Sequence, residues 1–355
     1  FLNDHGYKAR VVNYCPPYLT NQYRPIRTPA QIYKGLRNNG RKLLPLRTGR
    51  AFLLGILNYK VRKKRSIEFD NFRDDYLCLT DKCTSSIEVQ KTCSELDVVI
   101  VGSDQIWNER ITGGKFDRVF FAEDICKTVK KVAYAASTGD IIDEERQPVF
   151  TEHLGSLDYL SARESSLARQ IKSLTGRDCN HVLDPTLLIK KHHWEELIQN
   201  QTRFATDKNY IFAYNVSMKS TKRYYELLET IAKEKNCGII EVGGSKRLGK
   251  PYWKTFHDIS PLDFLYLLKN AEHVFTTSFH ATAISILLQK QFHAFLPHGA
   301  SRITDLLSAF SLNERALSDQ TEKFDCSSID YSFVDEKLEN YRKESIDYLL
   351  GVIEK

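Results

Sequence analysis

The sequence of 355 residues lacks the features that mark several classes of protein. Its eight cysteines are scattered and contain no Cys-x-x-Cys pair, which excludes a zinc ribbon, and the chain is too large to need a disulfide scaffold. We therefore expect free thiols in a reducing compartment. The longest apolar stretches, such as residues 51–57, fall far short of the roughly 20 residues that a membrane span requires, and no segment reads as a signal peptide. These absences predict a soluble, cytoplasmic protein.

The sequence also lacks the short motifs of several enzyme classes. It contains no Walker loop, no Gly-x-Gly-x-x-Gly fingerprint, no His-Glu-x-x-His pair and no nucleophile elbow. His192 and His193 have no third ligand at metal spacing, and we expect neither a metal nor a cofactor. The formal net charge of +6 suits anionic ligands, but it is too small to predict nucleic-acid binding.

Short apolar segments alternate with helical periodicity, which predicts an α/β fold with parallel sheets. The predicted strands are 8–13, 97–101, 131–137, 159–162 and 181–183 in the first half, and 210–216, 238–242, 273–277 and 292–296 in the second. Leu167, Ile171 and Leu174 share one face of a predicted helix that Gly176 ends.

The polar stretch 199–209 is the best boundary between the two halves. We predict an N-terminal Rossmann-like domain over 1–204, a C-terminal one over 205–312 and a helical tail over 313–355. Residues 1–6 resemble the end of a helix with a glycine stop, so we expect the opening strand of the first domain to lie before Phe1.

Residues 37–73 are rich in arginine and lysine and include the run Lys60-Val-Arg-Lys-Lys-Arg65. One interpretation is a solvated helix face or a loop. The other is a patch that contacts anionic lipid or a diphosphate-linked acceptor, since basic residues near a membrane surface each contribute about 1 kcal/mol. The sequence leaves both open.

In open α/β sheets, ligands bind beyond the carboxyl ends of the strands, and polar side chains follow two of the predicted strands. After the strand at 97–101, Gly102 permits close approach of the backbone to a ligand. The side chains that follow are suited to hydroxyls or phosphate, with Trp107 as a stacking surface for a sugar: Ser103, Asp104, Gln105, Trp107 and Asn108. The alternative is a turn in which Asp104 caps a helix and Trp107 fills the core.

The second such junction follows the strand at 273–277. Ser278 stands at the predicted N-cap of an apolar helix and His280 in its first turn. Free backbone N–H groups at a helix N-terminus favour anions, and a histidine there is suited to proton exchange. The alternative is that Ser278 is a simple cap and His280 a surface imidazole.

Two arginines are also placed at strand ends. Arg163 is a candidate to bind phosphate or carboxylate in two-point fashion, or to pair with Glu164 instead. Arg302, which opens a helix after the strand at 292–296, is a candidate of the same kind.

Taken in order, these segments resemble the polysaccharide pyruvyl transferase family. The matching stretches are Asp97-Val-Val-Ile-Val-Gly-Ser-Asp-Gln-Ile-Trp-Asn108, Val132-Ala-Tyr-Ala-Ala-Ser-Thr-Gly139, Ser161-Ala-Arg-Glu164, Val182-Leu-Asp-Pro-Thr-Leu-Leu188, Ser260-Pro-Leu-Asp-Phe-Leu265, Thr277-Ser-Phe-His-Ala-Thr-Ala-Ile-Ser285 and Tyr341-Arg-Lys-Glu-Ser345. Each stretch alone is a weak signal, whereas the ordered set is fairly specific.

The resemblance implies two Rossmann-like domains facing a cleft, as in glycosyltransferases of the GT-B class. It implies transfer of pyruvate from phosphoenolpyruvate, as co-substrate, onto a sugar as a ketal, in the synthesis of an exopolysaccharide or capsule. Arg163 and His280 match donor-site positions of the family. Some members carry arginine where this chain has Ser278, so that contact falls to Arg302 or a backbone N–H.

From the chemistry of that reaction we predict His280 and Asp104 as catalytic residues and Arg163, Ser278 and Arg302 as donor-binding residues. Ser103, Gln105, Trp107 and Asn108 are predicted to bind a lipid-linked or nucleotide-linked sugar acceptor, with peripheral contact to the inner face of the membrane. Two other functions stay open: a GT-B-type glycosyltransferase that uses a nucleotide sugar, and a non-catalytic carbohydrate-binding relative.

Overall fold

The computed structural model describes residues 1–21, 24–38, 44–201, 203–204, 209–216, 222–243, 250–296 and 301–355. These residues form two compact units. The helical unit consists of Leu2–Thr92 and His257–Pro261, and the sheet unit consists of Phe1, Cys93–Phe256 and Leu262–Lys355.

The helical unit is built from short and medium helices. They are α1 (Pro17–Thr20), α2 (Pro29–Asn38), α3 (Leu44–Leu57), α4 (Tyr59–Tyr76) and α5 (Ser86–Cys93). The predicted strand at 8–13 is wrong: this segment makes one isolated bridge, Val11 with Leu79, and a second, Tyr14 with Cys83, lies just after it. Two prolines follow directly at 16–17, and because proline has no N–H to donate, the pairing cannot extend.

The first sheet of the sheet unit has four parallel strands in sequential order. They are β1 (Val98–Val101), β2 (Lys130–Ala136), β3 (Tyr159–Ala162) and β4 (Cys179–His181), with helices α6 (Gln147–Leu154) and α7 (Ser165–Thr175) between them. Every residue of β2 after Lys130 is buried, as expected of a strand covered on both faces. Helix α7 buries Leu167 and Ile171 and ends at Gly176, whose φ is 68°, as the sequence predicted.

The second sheet has six parallel strands, β5 (Tyr210–Tyr214), β6 (Gly238–Val242), β7 (Trp253–Phe256), β8 (His273–Thr276), β9 (Phe292–Phe295) and β10 (Ala316–Leu317). Their spatial order is β10-β9-β8-β5-β6-β7. Counted from β5, this is the order 3-2-1-4-5-6 of a Rossmann sheet. The predicted α/β class with two Rossmann-like halves is therefore confirmed.

The remaining helices are α8 (Lys191–Ile198), α9 (Lys222–Glu234), α10 (Pro261–Lys269), α11 (Phe279–Leu287), α12 (Ser301–Ala309) and α13 (Tyr331–Glu354). Helix α13, the predicted tail, contacts both halves. Arg342 Nε donates to the carbonyl of Leu187 at 2.8 Å, and the hydroxyl of Ser345 accepts from the N–H of Leu183 at 2.9 Å. Tyr331 donates to the carbonyl of Ser285 at 3.4 Å.

The predicted boundary at residues 204–205 lies between the two sheets, but 205–208 fall outside the described residues. The compact units divide the chain differently, because residues up to Thr92 separate from the first sheet and both sheets belong to one unit. In the part of the chain that the structure describes, no helix has the length and hydrophobicity of a membrane span.

Candidate functional site

The order of the second sheet locates a crevice. Strand order reverses between β5 and β8, and ligands of Rossmann sheets bind beyond the carboxyl ends of strands at such a point. There Thr277 donates its hydroxyl hydrogen to Asn215 Oδ1 at 3.1 Å and accepts from the N–H of Val216 at 2.9 Å. These bonds join the loops that follow the two strands.

Helix α11 begins at this crevice. Ser278 is its N-cap, and the hydroxyl accepts from the N–H of Ala281 at 3.4 Å. His280 follows in the first turn with 42% of its side chain exposed, although Phe279 and Ala281 on either side are buried. The structure thus gives His280 the accessible position that a proton-transfer role requires.

The first half contributes a buried carboxylate, Asp184, which follows β4. Its Oδ1 caps the short 3-10 helix Pro185–Leu187 by accepting from the N–H of Thr186 at 3.0 Å. Its Oδ2 accepts from Arg163 Nη1 at 2.8 Å and from the hydroxyl of Ser103 at 3.1 Å. The same Oδ2 lies 3.8 Å from Nε2 of His280. Asp184 therefore connects three loops of the first half to the start of α11.

Arg163 lies on the buried side of this carboxylate and not in the open crevice. Only 1% of its side chain is exposed. Nε donates to Glu164 Oε1 at 3.2 Å, and the guanidinium carbon lies 4.1 Å from the ring centroid of Phe279. The remaining nitrogen, Nη2, is 3.6 Å from Asp104 Oδ1. This differs from the prediction of direct donor binding, because a two-point grip requires an exposed guanidinium edge; the ion pair with Glu164, the other interpretation, is what forms.

Burial and charge shift the pKa values of this cluster in different directions. Burial alone raises the pKa of Asp184, but the charges of Arg163 and His280 and the bonds from Thr186 and Arg163 outweigh it, so the net shift is downward. For Glu164 burial dominates and raises the pKa, although Arg163 and the hydroxyl of Ser137 oppose it. Asp184 is thus held as the anion beside His280.

The loop after β1 packs closely against the sheet. Gly102 has a φ of 143°, and a Cβ there would overlap the carbonyl oxygen of Tyr134, so no other residue fits. Asp104 follows with 62% of its side chain exposed. Asn108 Nδ2 lies 2.6 Å from Gln105 Oε1.

Arg302 of α12 reaches the same loop. The terminal amide of Gln105 lies 2.7 Å from Nη1 and 3.0 Å from Nη2 of Arg302, so in one orientation its oxygen accepts from both. Burial first, and then the positive charge of Arg163, lower the pKa of Arg302, while Glu164 and Asp104 oppose the shift. Arg302 is the more accessible of the two predicted arginines.

Trp107 requires a correction. The indole is completely buried, with its ring stacked on Phe121 at 5.3 Å and its Nε1 donating to the carbonyl of Phe120 at 2.9 Å. No face of the ring is exposed to a sugar, and Trp107 fills the core instead. Asp104, for its part, does not cap a helix: a turn, not a helix, follows it.

An open, solvent-exposed depression lies beside Asn108. Its polar lining includes Arg110, Thr138, Asp140 and Arg146. These side chains offer both donors and acceptors at a solvent-accessible surface.

The structure brings most of the predicted residues into one region. Ser103, Arg163 and His280 surround Asp184, Asp104 lies beside Arg163, and Arg302 contacts Gln105 of the same loop. Asp184 has no predicted role from the sequence, although it lies in one of the segments that resemble the family. The available signal was an acidic residue directly after a strand and before proline, the same strand-end logic applied to Asp104. Within the described residues, no three His, Cys, Asp or Glu side chains group in a way that would hold a metal ion.

The family model described as polysaccharide pyruvyl transferase matches residues 1–299. A search of curated proteins finds no match.

Solved structures give weak similarities. E. coli heptosyltransferase WaaC with ADP is 9% identical at a TM-score of 0.40, covering 76% of this chain and 87% of its own. WaaC with ADP-2-deoxy-2-fluoro heptose is 10% identical at 0.37, covering 74% and 84%. The glycosyltransferase SnogD from Streptomyces nogalater is 11% identical at 0.34, covering 71% and 68%.

Proposed function

The chain belongs to the polysaccharide pyruvyl transferase family, and we propose that it moves pyruvate from phosphoenolpyruvate onto a sugar of a surface-polysaccharide precursor as a ketal, with release of phosphate. The observation that carries this proposal is the position of His280. It is exposed at the N-terminus of α11, 3.8 Å from a buried carboxylate that Arg163 holds in place.

The donor carries a phosphate and a carboxylate, and the crevice offers groups for both. We assign one anion to Arg302, whose guanidinium reaches the loop after β1. The other fits the N-terminus of α11, where backbone N–H groups and the helix dipole favour negative charge. Ser278 serves this second site as the residue that begins the helix. Arg163 has an indirect role: from its buried position it holds Asp184 in place.

The chemistry begins with a proton. Protonated His280 gives its proton to the methylene carbon of phosphoenolpyruvate, which becomes a methyl group and leaves positive charge at C2. An acceptor hydroxyl attacks C2, and its proton returns to His280 directly or through Asp104. The bond between C2 and the phosphate oxygen then breaks, a second hydroxyl attacks C2, and its proton leaves with phosphate. One hydroxyl proton thus ends on carbon and the other on phosphate.

Asp184 contributes to the first step through its charge. A carboxylate held as the anion, 3.8 Å from Nε2, stabilises the imidazolium that must donate the proton. Because Asp184 is bonded to Ser103, Thr186 and Arg163, it keeps one orientation and in turn orients the imidazole. Its role is positioning, whereas His280 touches the donor.

We assign the acceptor to the loop after β1 and the depression beside it. Asp104 lies beside Arg163, and Gln105 lies beside Arg302, which we assign to the donor. Asn108 borders the depression together with Arg110 and Thr138. A sugar with two neighbouring hydroxyls fits the requirement for a ketal, and a lipid- or nucleotide-linked diphosphate fits Arg110 and Arg146 of the depression.

The test is a reaction of the full chain with phosphoenolpyruvate and a panel of sugar acceptors on lipid or nucleotide carriers. We expect phosphate release that depends on both substrates and a matching gain of 70 Da in the acceptor. Thermal unfolding should shift upward with phosphoenolpyruvate. Consumption of a nucleotide sugar without phosphate release from phosphoenolpyruvate would instead identify a glycosyltransferase. Binding of sugar with no turnover of either donor would identify a carbohydrate-binding protein.

A further inference from the structure

Helix α3 of the helical unit exposes most of its leucines and buries only Thr48 and Gly55. Thr48 and Gly55, seven positions apart, are buried on one face. On the opposite stripe, Leu46, Leu53 and Leu57 are 74%, 58% and 70% exposed. In a helix of a globular protein the apolar stripe normally faces the core. The reversed arrangement in α3 leaves a row of leucines available to another apolar medium.

Basic side chains flank this row. Arg47 and Arg50 lie on α3 beside the exposed leucines, and both are exposed. Helix α4 begins after Asn58, its first turns contain Lys60-Val-Arg-Lys-Lys-Arg65, and none of its residues is buried. Leucines next to arginines and lysines on the outer side of a helix are the composition of helices that lie in a membrane interface.

The sequence around α3 and the start of α4 is also strongly basic. Between His5 and Ile67 there are fifteen lysines and arginines and not one aspartate or glutamate. The net charge of the whole chain is only +6, so the positive charge is concentrated in this segment. Any partner of α3 and α4 must therefore combine negative charge with an apolar interior.

We propose that α3 and the first turns of α4 bind the surface of an anionic lipid bilayer, with Leu46, Leu53 and Leu57 among the acyl chains and Arg47, Arg50 and the basic run of α4 at the headgroups. A second copy of the chain would meet the same positive charge and be repelled. A nucleic acid would satisfy the charge but leave the leucines in water. Binding of this kind does not depend on the reaction proposed above.

The experiment is flotation of the full chain with vesicles of neutral phosphatidylcholine, alone or mixed with phosphatidylglycerol. We expect binding to the mixed vesicles that weakens as salt is raised, and much weaker binding to the neutral ones. Equal binding to both vesicles, or none to either, overturns the proposal.

Two sets of variants separate the electrostatic contribution to vesicle binding from the apolar contribution. Arg47→Gln, Arg50→Gln and Lys63→Gln together should lower the partition coefficient about 100-fold, since each charge near the surface contributes roughly a factor of five. Leu53→Asn with Leu57→Asn should lower it by at least about 10-fold and abolish the binding that persists in high salt. Because these side chains are exposed, the circular dichroism spectrum and the thermal midpoint should stay unchanged.

Matched controls use exposed residues of the sheet unit. Val149→Asn with Phe333→Asn replaces two half-exposed apolar side chains, and Lys172→Gln with Lys343→Gln removes two exposed charges. Neither pair should alter flotation. The proposal is overturned if the controls reduce binding as much as the α3 variants do. It is also overturned if the leucine variants only dissociate an oligomer, or if oligonucleotides bind the chain with no effect of the leucine changes.

Discussion

Arg163 and His280 approach the same oxygen atom, Oδ2 of Asp184, one from the end of β3 and the other from the start of α11. The distances are 2.8 Å from Nη1 of Arg163 and 3.8 Å from Nε2 of His280. The arginine is buried and the histidine is exposed, so the carboxylate lies between a fixed cation behind it and a group that substrate can reach. The two halves of the chain therefore share one electrostatic unit.

Removing the charge of Asp184 should lower the free energy of unfolding. In Asp184→Asn the buried guanidinium of Arg163 keeps Glu164 as an ion-pair partner but loses its shortest contact. Breaking a buried pair from one side typically costs 3–5 kcal/mol, and we expect about 3 kcal/mol here because Glu164 remains. Urea unfolding measures the change. Asp104→Asn is the matched control: that carboxylate is exposed, so its loss should cost less than about 1 kcal/mol. Equal stability of the two variants would contradict the assignment.

His280 is expected to carry the proton transfer. His280→Asn keeps a polar side chain at the first turn of α11 but cannot donate a proton to carbon, so kcat should fall by about 10²–10⁴-fold. Steady-state phosphate release measures it, and KM for phosphoenolpyruvate should change much less. His192→Asn, at an exposed position on α8, is the control and should leave both constants unaltered. A His280→Asn enzyme with wild-type kcat would remove this residue from the chemistry.

Arg302 is expected to bind the donor. Arg302→Lys keeps the positive charge but loses the planar fork that binds an oxyanion at two points. We expect KM for phosphoenolpyruvate to rise about 10–100-fold, with a smaller effect on kcat. The comparison variant Arg118→Lys changes an exposed arginine that pairs with Glu123 and Asp124. If Arg302→Lys behaves like that control, the donor phosphate lies elsewhere.

Periodicity and strand-end logic predicted much of this fold. The bounds of β3 and β6 match the predicted 159–162 and 238–242, because both are short apolar runs between clear helical patterns. β7 and β10 were missed. β7 has two adjacent polar residues, Lys254 and Thr255, between Trp253 and Phe256, and β10 has only two residues, so neither carries a local strand signal. Both form by pairing with the neighbouring strands.

The site was predicted less completely, for a physical reason. His280 and Asp104 follow strands, and a sequence can show that. Asp184 gains its importance because side chains up to 96 positions away converge on it, and no local pattern encodes such a contact. Trp107 shows the opposite failure, since an aromatic residue beside polar ones suits a sugar platform and a core equally well until burial is known.

The backbone at Gly102 should tolerate no side chain. In Gly102→Ala the new Cβ would overlap the carbonyl oxygen of Tyr134, which belongs to β2 and has little freedom to move. We expect a loss of at least about 2 kcal/mol in the free energy of unfolding, with reduced activity because Ser103 and Asp104 follow directly. Gly351→Ala in α13 is the control: nothing lies within 4 Å of its Cβ, and alanine favours a helix, so stability should rise by up to about 1 kcal/mol.

A buried histidine pair should make stability depend on pH. His273 Nε2 and His293 Nδ1 lie 2.9 Å apart inside the second sheet. Burial lowers the pKa of His293 from 6.5 to about 4, the charge of Arg315 adds to the shift, and the carbonyl of Asp325 opposes it. Burial lowers the pKa of His273 as well.

Because the folded pKa of His293 lies below the unfolded value, its contribution to stability is complete above pH 6.5 and is lost as the pH falls toward 4. The difference corresponds to roughly 3 kcal/mol in the free energy of unfolding, and His273 should steepen the decline. Urea unfolding at a series of pH values measures this slope. His293→Gln, which still offers a hydrogen-bond partner, should flatten the slope between pH 6.5 and 4, whereas the exposed His192→Gln should leave it unchanged. If both variants keep the wild-type slope, the pair does not stay neutral in the folded protein. A pair that is neutral when buried takes up protons on unfolding below pH 6.5, and only this difference in bound protons makes stability depend on pH.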